Sequence, residues 1–191
     1  MLIPEYLPLL QRYLKQLELA ANLGPVLDLA CGSGRGGLRL IANKLPVIFA
    51  DISAAALLQV ELSLAQELYS KNASLATLWP VDLEQPGVSP LDGRMFGAIV
   101  AYHYLYRPLL TSIKQAVYPG GMVIYETFTV DQPQYGRPKN PDFLLRHGEL
   151  HDYFCDWIIL HSFEGVVKKS CGEGSKAIAQ LVAKKPSSPI R

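Results

Sequence analysis

The fold is decided by residues 26–37, which read VLDLACGSGRGG. The stretch begins as a short apolar strand, passes through a cluster of glycines and continues into a helix. Glycines at a strand-to-helix junction let the backbone pass close to a ligand and present amide N–H groups to it. Gly32, Gly34 and Gly37 have the GxGxxG spacing, so the junction is predicted to bind a cofactor that contains a nucleotide.

Outward from this stretch, strands and helices alternate along the chain. Apolar, strand-like runs occupy residues 47–53, 74–83, 95–104 and 122–130. Their alternation with helical apolar spacing indicates βαβ units on a parallel sheet. Two last runs, 157–167 and 176–185, are joined by a short polar turn and predict a hairpin. We therefore predict an α/β fold with a doubly wound, mostly parallel, seven-stranded Rossmann-like sheet and a C-terminal antiparallel hairpin.

The length of 191 residues suits one domain of ordinary size. We assign residues 1–185 to a single domain, in which a helix over residues 5–22 acts as a cap. The proline- and serine-containing segment 186–191 is predicted to be a disordered tail.

Composition excludes several classes of function. The net charge is 18 − 17 = +1, and no basic run is longer than a pair of lysines, so a nucleic-acid partner is not expected. No apolar run reaches the length of a membrane span. The three cysteines, Cys31, Cys155 and Cys171, are too few and too scattered for a disulfide framework, which favours a reducing, cytoplasmic setting. We expect a cytoplasmic monomer or homodimer that acts on a small molecule.

Three aspartates narrow the choice of cofactor. Asp28 lies inside the first apolar strand, where an unpaired carboxylate is costly to bury. A pyrophosphate has no use for that charge, whereas a ligand that carries an ammonium and a sulfonium does. Asp51 ends the second strand, 19 residues after Gly32, where a carboxylate can bind ribose hydroxyls. Asp82 ends the third strand and could accept a hydrogen bond from an adenine amine.

At this point the sequence resembles the class I S-adenosylmethionine-dependent methyltransferases. Five segments match that family's motifs in its order: VLDLACGSGRGG, ADIS, VDLE, FGAIVAYHYL and PGGMVIYETF. The terminal hairpin also matches, because this family ends its sheet with an antiparallel strand. A narrower resemblance, to small tellurite-resistance-type and thiol-type methyltransferases, is carried by residues 104–109, 135–138 and 140–150.

The resemblance implies S-adenosylmethionine as the cofactor and gives roles to the residues at the strand ends. The methionine end would be held by Asp28 and by the loop residues Ala30, Cys31, Gly32, Ser33 and Gly34. The ribose would be held by Asp51 with Ile52, and the adenine by Asp82 and Leu83. Ala101 and Tyr102 would border the transferred methyl group.

The reaction itself is expected to be an in-line displacement, in which the protein mainly supplies proximity and orientation. An acceptor that attacks as a thiolate or a metalloid oxyanion needs a cationic anchor. We assign a catalytic role to Arg107 as that anchor, with His103 and Tyr106 as hydrogen-bond partners. Tyr135 and Arg137 are expected to bind the substrate from a mobile lid over residues 131–142.

Several alternatives stay open on the sequence alone. Asp28 could be a structural carboxylate that binds its own glycine loop, and Arg107 could be a solvated helix cap. His147 and His151 flank Glu149, but the order HGELH is not HExxH, so no metal site is predicted. The chain could also bind S-adenosylmethionine without catalysis, as a sensor or partner subunit. An NAD-dependent reductase is less favoured because it would leave Asp28 unexplained.

Overall fold

The computed structural model describes residues 8–169 and 174–187, which contain one seven-stranded sheet. Its strands are β1 Val26–Leu29, β2 Val47–Asp51, β3 Ala76–Pro80, β4 Phe96–Tyr102, β5 Val117–Phe128, β6 Ile158–Lys168 and β7 Ser175–Lys184. The spatial order is β3-β2-β1-β4-β5-β7-β6. Strands β1 to β5 pair in parallel, whereas β7 is antiparallel to both β5 and β6. The predicted fold class and the terminal hairpin are confirmed.

Helices cover the sheet, mostly as short segments. They are α1 Pro8–Arg12, α2 Leu14–Ala21, α3 Arg35–Ala42, α4 Ala54–Leu64, α5 Glu67–Ser70, α6 Leu110–Gln115 and α7 Glu149–Tyr153. The cap helix predicted over residues 5–22 is divided at Tyr13 into α1 and α2, and its first residues lie outside the described range. The predicted tail also falls largely outside it, at residues 188–191. No helix in the described part of the chain is long and apolar enough to cross a membrane.

The central strands are buried on both faces because parallel sheets of this kind carry apolar layers above and below. Leu27 and Leu29 of β1 pack into one apolar cluster, and Val26 packs into the other. Since side chains alternate along a strand, Asp28 faces the side on which α3 lies. This alternation brings a carboxyl group under the glycine loop.

One glycine explains how closely the N-terminal helices approach the sheet. A Cβ atom added at Gly97 of β4 would lie 2.0 Å from the carbonyl oxygen of Ala20 and 2.5 Å from that of Gly24. Only glycine leaves room for the end of α2 at this point. The N-terminal segment is therefore packed directly against the central strand.

Candidate functional site

Two cavities that share Ala30 open at the carboxyl ends of the strands, which is where ligands bind in sheets of this type. The larger has a volume of about 410 Å³ and is lined by Asp28, Ala30, Cys31, Gly32, Ser33, Arg35, Gly36, Tyr102, His103, Glu126, Phe128, Gln132, Arg137, Lys169 and Lys176. The smaller, of about 230 Å³, is lined by Ala30, Asp51, Ile52, Val81, Asp82, Leu83, Glu84 and Tyr104. We call them the large and the small cavity.

Most of the predicted cofactor residues line one of these cavities. Asp28, Ala30, Cys31, Gly32, Ser33 and Tyr102 line the large cavity, and Asp51, Ile52, Asp82 and Leu83 line the small one. Gly34 and Ala101 line neither. Gly34 backs onto Phe49 and Val60 at the start of α3, and Ala101 is fully buried in β4. These two residues lie behind the cavity walls and do not line the cavities.

Asp28 is 4% exposed and is tied to the first turn of α3. Its Oδ2 accepts a hydrogen bond from the backbone N–H of Gly37 at 2.7 Å. Burial raises the pKa of Asp28 to about 7; the Gly37 hydrogen bond opposes this rise, and the nearby Asp51 charge adds to it. A Cβ atom at Gly37 would lie 2.8 Å from Oδ2, so a glycine is needed for this contact. Asp28 thus binds its own loop and also lines the large cavity.

Asp51 and Asp82 are held by backbone amides at the edge of the small cavity. Asp51 accepts hydrogen bonds from Gly32 N–H through Oδ2 and from Ser53 N–H through Oδ1, both at 2.8 Å. Asp82 accepts one from Glu84 N–H at 2.9 Å. A carboxylate offers about four acceptor positions, so each side chain keeps capacity for ligand hydroxyl or amine donors.

Two tyrosine hydroxyls in the cavity walls have no protein partner. The Tyr102 hydroxyl in the large cavity and the Tyr104 hydroxyl in the small one are buried without a hydrogen bond to any described residue. Unsatisfied buried hydroxyls are rare in proteins. Their presence in these walls is a sign that a polar ligand completes the site.

A polar cluster forms the floor of the large cavity beyond the glycine loop. Glu126 of β5 is 4% exposed and accepts hydrogen bonds from Lys176 Nζ at 2.6 Å and from Gln180 Nε2 at 2.7 Å. Its Oε1 lies 3.5 Å from Nε2 of His103. Burial alone would raise the pKa of Glu126, but His103, Lys176 and Gln180 outweigh it and hold that pKa at about 2. Glu126 is therefore a fixed carboxylate at neutral pH.

His103 adopts an uncommon backbone conformation just after β4. Its φ is +56°, its backbone N–H donates to the carbonyl of Glu126 at 2.7 Å, and its ring stacks on Phe128 at 4.8 Å. A positive φ at a non-glycine residue costs about 1–3 kcal/mol and is typical of functional sites. The conformation keeps the predicted residue His103 in the wall of the large cavity.

Two of the predicted catalytic residues, Arg107 and Tyr106, lie away from the large and the small cavity. Arg107 begins a short 3-10 helix and forms a bidentate ion pair with Glu149 of α7, at 2.6 and 2.9 Å. It also donates to the carbonyls of Asp142 and Leu144. Arg107 thus lies outside the large and the small cavity, and together with Glu149 it lines a separate cavity of about 620 Å³. Tyr106 is half-buried against the apolar core and lines neither cavity.

Only one of the two predicted substrate-binding residues lines a cavity. Arg137 lines the large cavity, whereas Tyr135 does not. The loop that carries both is fastened to β7: Gln132 accepts from Ala177 N–H at 2.8 Å and donates to the Arg137 carbonyl at 2.9 Å. These contacts fasten the first part of the loop to β7, and the mobile lid over residues 131–142 stays a prediction.

Each histidine of the HGELH segment lies next to a carboxylate. His147 Nδ1 lies 2.5 Å from Glu164, and His151 lies 3.6 Å from Asp152. Within residues 8–169 and 174–187, no group of three or more His, Cys, Asp or Glu side chains is arranged to hold a metal ion.

Sequence reasoning missed Glu126, Lys176 and Gln132. A signal for Glu126 was present, since it is a charged residue inside the apolar strand 122–130. The same signal was used for Asp28. Lys176 and Gln132 gave no local signal, because their roles depend on contacts with residues about 45 to 50 positions away.

Comparison with known proteins identifies the fold. No protein-family model and no curated protein sequence matches the chain. Among solved structures, TehB from Haemophilus influenzae is 20% identical with a TM-score of 0.68, over 96% of this chain and 67% of TehB. The N-methyltransferase NodS from Bradyrhizobium japonicum is 13% identical with a TM-score of 0.62, over 92% of this chain and 95% of NodS. The glycopeptide N-methyltransferase MtfA, complexed with S-adenosylmethionine, is 17% identical with a TM-score of 0.59, over 90% of this chain and 86% of MtfA. The resemblance seen in the sequence is thus confirmed at the level of the fold, which is that of the class I methyltransferases.

Proposed function

We propose that this protein transfers the methyl group of S-adenosylmethionine to a small-molecule acceptor. The observation that carries the proposal is the position of Asp28, Asp51 and Asp82 at the ends of three neighbouring strands, around two cavities that share Ala30. The methyltransferase fold of the chain supports it.

The residues present fit this cofactor. The small cavity has carboxylates suited to ribose hydroxyls and an adenine amine, and the large cavity has a carboxyl group suited to an ammonium. The unpartnered hydroxyls of Tyr102 and Tyr104 give further polar contacts. A side chain at Gly32 would meet nothing within 4 Å, so the loop leaves open space over its backbone. When bound, S-adenosylmethionine would supply an electrophilic methyl group on a sulfonium.

The protein's own residues would orient the reactants. Asp51 would hold the ribose, and Asp28 would hold the ammonium next to the glycine loop. The acceptor would enter from the His103 and Arg137 side of the large cavity, where the cofactor residues end. Displacement requires the attacking atom in line with the breaking bond at roughly 3 Å from the methyl carbon, so the rigid floor of β4 and β5 serves catalysis by fixing this geometry.

We further propose that the acceptor attacks as an anion, such as a thiolate or a metalloid oxyanion. Support comes from the basic side chains Arg35, Arg137, Lys169 and Lys176 around the large cavity. Arg35 and Arg137 form no ion pair with any described residue. Arg137 takes the anchoring role that sequence reasoning gave to Arg107, because a guanidinium grips an oxyanion with two parallel hydrogen bonds.

A cytoplasmic location belongs to the same proposal, since Cys31 and Cys155 are free thiols in the described structure. A sensor or partner subunit that binds S-adenosylmethionine without transferring the methyl group would share the cofactor contacts. The polar cluster around Glu126 favours an enzyme over such a binding protein, because a protein that only binds the cofactor has no need of this cluster.

Thermal unfolding with S-adenosylmethionine, with NADH and with neither tests the cofactor. A ligand at 100 times its Kd stabilises a protein by about 2.7 kcal/mol, which we expect with S-adenosylmethionine alone. Stabilisation by NADH and not by S-adenosylmethionine would contradict the proposal and favour a reductase.

A further inference from the structure

The floor of the large cavity contains an imidazole paired with a permanently charged carboxylate. Glu126 Oε1 lies 3.5 Å from Nε2 of His103, and its two oxygens are also held by Lys176 and Gln180. Because Glu126 is ionised, it can only accept hydrogen bonds. It therefore favours a proton on Nε2 of the imidazole and leaves Nδ1 as the nitrogen that can take up another proton.

From this arrangement we propose that His103 is the general base that removes the proton of a thiol acceptor, and that Glu126 positions its imidazole. The inference deepens the proposed function and rests on it. His103 would touch the acceptor and is thus a catalytic residue, whereas Glu126 acts through His103.

The restraints on His103 support a role in chemistry rather than in folding. The side chain of His103 is 39% exposed, whereas the side chain of Glu126 is only 6% exposed. The Phe128 ring covers one face of the imidazole, and the backbone hydrogen bond to Glu126 fixes the strained turn. Two contacts, with Phe128 and with the Glu126 carboxylate, orient the ring, as expected for a base that must meet its substrate at a defined angle.

The other titratable groups around the cavity are poorly suited to this role. Burial, reinforced by the charges of Glu126 and Asp28, raises the pKa of Tyr102 well above its usual range, so its phenol stays protonated. Burial likewise raises the pKa of Cys31 far above that of a free thiol. Asp28 is nearly inaccessible and is bound to Gly37. The remaining groups, Arg35, Arg137, Lys169 and Lys176, are cations.

The chemistry of the base selects the acceptor class. In model peptides a thiol titrates at about 8.5, well below an alkylammonium at about 10.4. A thiol is therefore the acceptor from which a neutral imidazole removes the proton more readily, and the thiolate formed near Arg137 is stabilised by a cation. Alcohols lie much further away, and metalloid oxyanions need no base.

Methyl transfer begins when the thiol proton moves to Nδ1 of His103. The imidazolium that forms is stabilised by the carboxylate of Glu126. The acceptor sulfur donates its electron pair to the methyl carbon and forms the new S–C bond. The C–S bond of the sulfonium breaks, and its electron pair stays on the departing sulfur as a neutral thioether. His103 returns the proton to water after the product leaves.

The first test measures ionisation of a bound thiol, without methyl transfer. Benzyl mercaptan, which keeps its proton in water at pH 7, is added to the protein saturated with S-adenosylhomocysteine, and the ultraviolet absorbance of the thiolate is recorded. We expect a thiolate signal with the wild-type protein, a smaller one with Glu126→Gln, and none with His103→Ala. His151→Ala and Glu61→Gln, which change exposed residues away from the cavity, should keep the full signal.

The second test uses two thiols of similar size in the methyl-transfer reaction. With benzyl mercaptan, His103→Ala should lower kcat by about 10²–10⁴-fold, which is the usual contribution of a general base. With 4-nitrothiophenol, which is already ionised at pH 7, the same substitution should change kcat by less than about threefold. Added imidazole should restore part of the rate with benzyl mercaptan, and Glu126→Gln should have no further effect once His103 is absent.

The outcomes separate this inference from the proposed function. Failure of the wild-type protein to bind S-adenosylmethionine by calorimetry would overturn the proposed function. If it binds S-adenosylmethionine but His103→Ala keeps the thiolate signal, or loses equal activity with both thiols, only the role of His103 falls. A complex that binds no benzyl mercaptan would overturn the thiol assignment.

Discussion

Replacing Asp28 by asparagine is expected to stabilise the protein at alkaline pH, although Asp28 is proposed to bind the cofactor. Burial raises the pKa of Asp28 to about 7 from its ordinary value of 3.8. Between these two values the folded protein keeps a proton that the unfolded chain has released. The contribution of Asp28 to the free energy of unfolding therefore falls as the pH rises from about 4 to about 7, and is lowest above pH 7.

The size of the effect follows from the same pKa. Each pH unit inside the window changes the free energy of unfolding by about 1.4 kcal/mol. Between pH 5 and pH 8 the wild-type protein loses about two such units, or about 3 kcal/mol, relative to a variant with a neutral side chain. For a chain of this length, 1 kcal/mol corresponds to roughly 2–4 °C in Tm. The Tm advantage of Asp28→Asn should therefore grow by roughly 6–12 °C from pH 5 to pH 8.

The assay is thermal unfolding of Asp28→Asn and wild type across this pH range, with no ligand present. The amide oxygen of asparagine can still accept the Gly37 N–H, so the loop contact is kept. Asp92→Asn, at an exposed position, serves as the control and should show no pH-dependent advantage. A Tm difference between Asp28→Asn and wild type that stays constant from pH 5 to pH 8 would refute the argument that Asp28 is a costly buried carboxylate.

Three further substitutions test the assignments around the cavities. Asp51→Ala should weaken S-adenosylmethionine binding by about one to two decades in a folded protein, because charge-assisted hydrogen bonds contribute roughly 1.5–3 kcal/mol; an unchanged Kd by calorimetry would remove the ribose role. Arg107→Met should lower the free energy of unfolding by about 1–3 kcal/mol, because Glu149, which is 14% exposed, loses its partner. The cofactor Kd should not change. An unchanged free energy of unfolding would show that the ion pair between Arg107 and Glu149 does not stabilise the fold. Arg137→Ala should lower kcat/KM by about tenfold or more at constant cofactor Kd, and full activity would argue against the anionic acceptor.

The positions of the three carboxylates proposed to bind the cofactor could be predicted from the sequence because their signals are local. Asp28 stands inside an apolar strand next to the glycine loop, and Asp51 and Asp82 follow directly after strands. In a parallel sheet those strand ends lie at one edge. Spacing along the chain was therefore enough to predict that these three carboxylates lie at one edge of the sheet, where they line the two cavities.

The polar cluster around Glu126 could not be predicted in this way, because it depends on strand pairing. Glu126 meets Gln180 because β5 and β7 are antiparallel with these two residues opposite each other. Lys176 reaches the same carboxylate from 50 positions away. The sequence shows that β7 exists but not its register against β5.

The position of Arg107 could not be predicted either, because it depends on a partner that is distant in the sequence. Its place just after β4 favoured a position in the cavity, but Glu149, 42 residues further along, binds the guanidinium with both oxygens. In the sequence Glu149 drew notice only as part of a possible metal motif. A competing partner on a distant helix decides where a flexible cation points, and local spacing gives no sign of it.

The most direct measurement is transfer of an isotopically labelled methyl group from S-adenosylmethionine. The protein is incubated with labelled cofactor and a panel of thiols, metalloid oxyanions and carboxylates, and the products are identified by mass spectrometry. The account predicts a labelled acceptor together with an equal amount of S-adenosylhomocysteine, and loss of both products with Asp51→Ala at a cofactor concentration below its Kd. Tight binding of S-adenosylmethionine with no labelled product from any acceptor would contradict the account and identify the chain as a cofactor-binding protein without catalysis.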